Sequence, residues 1–198
     1  MGVTPTKRHH SARLAHCQPA STSNRRMLSI NKLIRQGRGL APALLRRAAT
    51  VELDWDTRSK SRFDTIDSSG RHLGIFMPRG QVLRGGDVLV TEDGSLVRVL
   101  AAPQPVLRVM ACGEHGTALD LPRAAYHLGN RHIALEVQAD RLQLEPDPVL
   151  AGMLRAMHLV VTEVNAPFEP EGGAYAHADT AAGAHHGRDH GHGHSHDH

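Results

Sequence analysis

The chain is expected to be α+β: a small all-β unit, then a unit ordered β-α-β-β-α-β, then a histidine-rich tail without fixed structure. Three observations carry this expectation. Between residues 27 and 102, short apolar runs recur between glycine-containing turns. Between residues 103 and 170, strand-like and helix-like periods follow one another in the stated order. At the end, His185, His186, His190, His192, His194, His196 and His198 crowd a stretch otherwise made of Gly, Asp, Ser and Arg.

Composition narrows the field. Of 198 residues, 40% are hydrophobic and 22% charged, enough for a core. Aromatic residues are only 3%, which argues against a stacking platform for single-stranded nucleic acid. No apolar run approaches the roughly 20 residues of a membrane helix. Two cysteines rule out a disulfide-rich scaffold. The net charge of +3 misleads until it is divided. Lys7, Arg8, Arg13, Arg25 and Arg26 lie in an acid-free first 26 residues; without them 18 basic residues face 20 acidic ones. The body is therefore mildly acidic, and no nucleic-acid partner is expected.

Residues 1–26 have no apolar h-region and no periodicity. They read as a disordered extension, or as sequence outside the native chain with Met27 as the working start. Residues 27–102 read as the all-β unit. Its strands are Val51–Trp55, Arg62–Asp67, His72–Met77, Asp87–Thr91 and Leu96–Leu100, with no amphipathic helix among them. Pro103-Gln104-Pro105 reads as the linker. In residues 103–170, Val106–Ala111 reads as a strand and Thr117–Leu128 as a helix with Gly129 as C-cap. Pro122 moves the start of that helix toward Asp120. Ile133–Val137 and Arg141–Glu145 follow as strands. Asp147 caps a second helix with Pro148 at its first position, and Val149, Leu150, Met153, Leu154 and Met157 share its apolar face. Leu159–Val164 closes the unit. Two helices on one four-stranded antiparallel sheet make a ferredoxin-like sandwich.

Residues 171–198 cannot bury enough apolar surface to order themselves. Alternating histidines with small spacers let two or more rings reach one ion, so this tract is expected to bind metal. It does not name the metal, because divalent affinity rises through Ni²⁺ to Cu²⁺ and falls at Zn²⁺. Within the folded part, His132 follows Gly129-Asn130-Arg131 just past a helix end. Cys112 and His115 are close in sequence but make a weak signal on their own. No Gly-x-Ser-x-Gly elbow, P-loop or His-Glu-x-x-His motif occurs, so no enzyme is expected.

Tyr126-His127-Leu128-Gly129-Asn130-Arg131-His132 resembles the signature of the UreE family of urease accessory proteins. So do Lys60-Ser61-Arg62, Leu73-Gly74-Ile75-Phe76-Met77-Pro78-Arg79-Gly80 and Leu83-Arg84-Gly85-Gly86-Asp87. Ala166-Pro167-Phe168-Glu169-Pro170-Glu171-Gly172-Gly173-Ala174-Tyr175 and the tail complete the likeness, which covers about residues 27–177.

The resemblance implies a homodimeric, cytoplasmic nickel metallochaperone. It implies a peptide- or partner-binding β domain at 27–102 and a ferredoxin-like metal-binding and dimerisation domain at 103–170. The cargo is Ni(II), with Zn(II) or Cu(II) able to bind in vitro. The partners are the urease apoprotein and its accessory proteins, including the GTP-binding one. The family's metal histidine falls on His132. A two-fold axis beside it would bring two copies of the ring together. His177 and the tail histidines 185, 186, 190, 192, 194, 196 and 198 would add ligands. Imidazole must be neutral to ligate, so loading should weaken as pH falls through about 6.5. The alternatives are a nickel or zinc storage protein, and a peptide-binding chaperone with incidental metal.

Overall fold

The computed structural model describes residues 27–172. They form two sheets joined by one packed seam.

The first sheet has six strands: β1 (Leu28–Ile34), β2 (Ala49–Leu53), β3 (Arg62–Ile66), β4 (His72–Phe76), β5 (Val88–Thr91) and β6 (Leu96–Ala101). Their order is β2-β6-β5-β1-β4-β3. β1 sits centrally, parallel to β4 and antiparallel to β5, and β2 runs parallel to β6. Alternation along the strands turns Ile30, Val51, Leu53, Leu73, Ile75, Leu89, Val97 and Val99 into one buried cluster. The turn before β5 is set by Asp87, which is fully buried. Its carboxylate accepts from the Arg35 guanidinium at 2.8 Å, Gln36 N at 3.0 Å and Arg84 N at 2.9 Å. Gly86 sits at φ +90°, a conformation that favours glycine, with the Gln36 carboxamide packed beside it.

This unit also contains helices the strand reading did not foresee: a 3-10 turn at Arg35–Gly37, α1 (Pro42–Arg47) and α2 (Trp55–Ser59). The expected strand Val51–Trp55 stops at Leu53. Asp54 Oδ1 accepts from Thr57 N at 2.8 Å and starts α2 instead. These helices are five or six residues long, too short to display a 3.6-residue period.

The second sheet comprises β7 (Pro103–Met110), β8 (Leu135–Val137), β9 (Leu142–Leu144) and β10 (Val160–Pro167), in the order β10-β7-β9-β8. With α3 (Asp120–Gly129) and α4 (Pro148–Ala156) the chain order is β-α-β-β-α-β, as expected. Both helices pack on one face. Ala124 and Leu128 of α3 and Leu150, Ala151 and Leu154 of α4 join Leu107, Val109, Leu135, Leu142 and Leu144.

The structure corrects four local expectations here. Pro103-Gln104-Pro105 is not a linker: β7 begins at Pro103, and β10 pairs with it from Val160↔Met110 to Pro167↔Pro103. β9 partners only Leu107–Val109, so the prolines occupy a stretch with a free edge, where a missing N–H is tolerated. Gly129 lies inside α3, and Asn130 is a right-handed C-cap. Val149 does not share the buried face of α4: it is 78% exposed, because burial follows Leu150, Ala151 and Leu154. The strands flanking the hairpin are shorter than expected, at three residues each.

The seam holds the two sheets together. Phe168, just beyond β10, is fully buried with Val106 and Ala166, and meets Trp55 edge-on at 6.0 Å. Arg58 is fully buried. It donates to Glu169 Oε1 at 2.8 Å, Phe168 O at 2.5 Å and Leu53 O at 3.1 Å. Arg84 reaches Glu169 Oε2 at 3.4 Å and Pro170 O at 2.5 Å, and Gly85 N donates to Glu169 Oε1 at 2.7 Å. Glu169 N in turn donates to Glu136 Oε2 at 2.7 Å. Burial lowers the Arg58 pKa from its ordinary value, and the Glu169 carboxylate opposes that shift.

Candidate metal centre

The candidate centre lies at the C-terminal end of α3. Ala124 and Leu128 anchor the inner face, while Tyr126 and His127 stay exposed with their rings edge-on at 5.5 Å. Past the helix the chain folds back in a tight turn. Arg131 N and Ile133 N both donate to Leu128 O, at 3.0 and 3.2 Å, and His132 N donates to Gly129 O at 2.9 Å. The left-handed residue in this turn is His132 itself, at φ +56°. A non-glycine residue takes that conformation at some cost in strain, and here the surrounding turn imposes it. Arg131 Nη1 donates to His127 O at 3.0 Å and ties the turn to the helix end.

The result is an exposed imidazole on a defined support. Chemically it is a single nitrogen donor, and a metal ion needs more. Among the described residues no three His, Cys, Asp or Glu side chains gather into a metal site. The described part of one chain therefore does not complete a metal site around His132. The other residues expected to bind metal, His177, His185, His186, His190, His192, His194, His196 and His198, lie outside the described residues. The last described residues, Glu171 and Gly172, follow directly on the seam, where Glu171 N donates to Leu135 O at 2.8 Å.

Sequence reasoning missed the seam. Arg58 and Glu169 are separated by 111 positions, and nothing in their local patterns pairs them. Only the Pro-Phe-Glu-Pro-Glu run, noticed as part of a resemblance, pointed to that region.

The described chain is an α+β protein of two sheets with few helices, bearing an exposed histidine at a helix-end turn. The family described as "UreE urease accessory protein, N-terminal domain" matches residues 30–102, and "UreE urease accessory protein, C-terminal domain" matches residues 104–198. Curated relatives named urease accessory protein UreE agree. The one from Methylibium petroleiphilum is 74% identical over 152 residues, covering 77% of this chain and 70% of the relative. That of Paracidovorax citrulli is 71% identical over 150 residues, covering 76% and 71%. That of Albidiferax ferrireducens is 71% identical over 150 residues, covering 76% and 86%. The chain belongs to the UreE family of urease accessory proteins, whose role is in urease maturation. No helix among the described residues is long and apolar enough to cross a membrane.

Proposed function

We propose that this chain is a nickel metallochaperone. It carries Ni(II) to the urease apoprotein during assembly of the dinuclear active site and performs no bond-making chemistry of its own. It works in the cytoplasm as a homodimer, alongside the other accessory proteins, including the GTP-binding one. Residues 27–102 serve as the partner-binding β domain. Residues 103–170 serve as the ferredoxin-like metal-binding and dimerisation domain, and residues 171–198 as the metal-gathering tail.

One observation supports this most: His132 is an exposed donor held on a shaped turn, in no group of three candidate ligands among the described residues. Such a donor suits a shared site. Two His132 rings across a two-fold axis supply two nitrogens, and His177 or a tail histidine adds another. Such coordination leaves positions open for a recipient's ligands, so the ion leaves by ligand exchange. Storage is the competing reading, and the number of tail histidines favours it equally. The two differ in what urease needs. In cells limited for nickel, His132→Ala is expected to lower urease activation at unchanged protein level. Full activation by that variant would favour storage.

A further inference from the structure

The loop between β7 and α3 carries Cys112, Glu114 and His115, and the ten residues of α3, about 15 Å, separate it from the turn of His132. Gly116 N donates to Cys112 O at 2.7 Å and closes the loop tightly. A side chain at Gly116 would run into that same carbonyl oxygen, so the closure depends on glycine. The loop sets Cys112 Sγ 3.9 Å from His115 Nδ1. The His115 side chain is 81% exposed, and Cys112 is half-buried and carries a free thiol. The backbone N–H groups of Glu114 and His115, with the His115 ring, hold the thiol down to about 7.

Geometry decides what this pair can do. Zinc lies about 2.3 Å from a thiolate sulfur and about 2.0–2.1 Å from an imidazole nitrogen. In a tetrahedral site those lengths put sulfur and nitrogen about 3.6 Å apart. The observed spacing closes onto an ion with a movement of a few tenths of an ångström. Sulfur also changes the preference: the tail offers nitrogen and oxygen, whereas a thiolate draws softer ions such as zinc.

We propose that Cys112 and His115 form a second metal site, independent of His132, that takes a zinc-class divalent ion through one sulfur and one nitrogen. No third His, Cys, Asp or Glu among the described residues completes it. Its remaining positions are filled by water or by donors from another molecule, which makes it an exchange site rather than a structural one. Binding releases the thiol proton to solvent.

Cobalt(II) alone is the probe, because thiolate ligation gives a near-ultraviolet charge-transfer band that histidine ligation does not. The full chain is used with Cys17→Ser, which leaves Cys112 as the sole thiol. The expected result is a sulfur-to-cobalt band that zinc(II) displaces and that Cys112→Ser abolishes. His115→Ala should move its midpoint to at least about tenfold higher cobalt, since even outer partners of a metal ligand are worth about that much. His132→Ala should leave the band where it is. Absence of the band would overturn the proposal. So would an unchanged midpoint in His115→Ala, which would reduce the pair to a thiol beside a histidine. Both side chains are accessible, so neither substitution threatens the fold.

Discussion

Asp93 shows how a turn sets the chemistry of one side chain. The Thr91 hydroxyl donates to its carboxylate at 2.5 Å and Ser95 N at 2.9 Å, which lowers its pKa from 3.8 to about 2. Asp54 shifts down through its bonds from Thr57, and Asp120 through its bonds from Thr117. At Asp67 burial pushes upward, and the bonds from Ser69 and Arg71 more than offset it. In each case the folded pKa lies below the unfolded one. Their stabilisation is therefore present above the ordinary carboxylate range and is lost as pH falls through the lowered folded values, for Asp93 toward about 2. Acid unfolding followed by circular dichroism is expected to steepen below about pH 4, and Asp93→Asn to flatten that limb. His132 stands out as a candidate at this scale because it closes a recognisable run of residues. Its left-handed backbone was not legible, because glycine three residues earlier was the obvious candidate for it. The turn places that conformation by which N–H groups reach Leu128 O, a three-dimensional choice.

Elements were legible in proportion to their length and to the strength of their boundary signals. α4 was read from Asp147-Pro148 and the Leu150–Leu154 spacing, and Asp147 Oδ1 indeed accepts from Val149 N at 2.7 Å and Leu150 N at 2.9 Å. Asp147→Ala is expected to destabilise the protein by about 1 kcal/mol in urea unfolding, the ordinary worth of such a cap. α1 and α2 escaped notice because a single turn and a half carries no period. β7 was cut short because proline is a local signal, while tolerance of proline depends on which neighbours a strand has. Val149 was misplaced because position two of a helix can lie within an apolar arc and still face solvent.

At the scale of the molecule, the order of elements was legible in the second half, whereas in the first the central strand β1 and the short helices were missed. The seam was not legible either. It depends on Arg58, Arg84 and Glu169 meeting across the chain, and on Trp55, read as the end of a strand, turning to pack on Phe168. The described chain ends just past the seam, at Gly172. The proposed function divides metal binding between the exposed His132 and the histidine-rich tail. Nickel titration of a chain ending at Ala176, with its mass measured in solution, separates the two. One ion per dimer is expected to remain, and to disappear when the same chain carries His132→Ala. Complete loss of nickel on removing the tail, or a tight site that survives His132→Ala, would contradict the account.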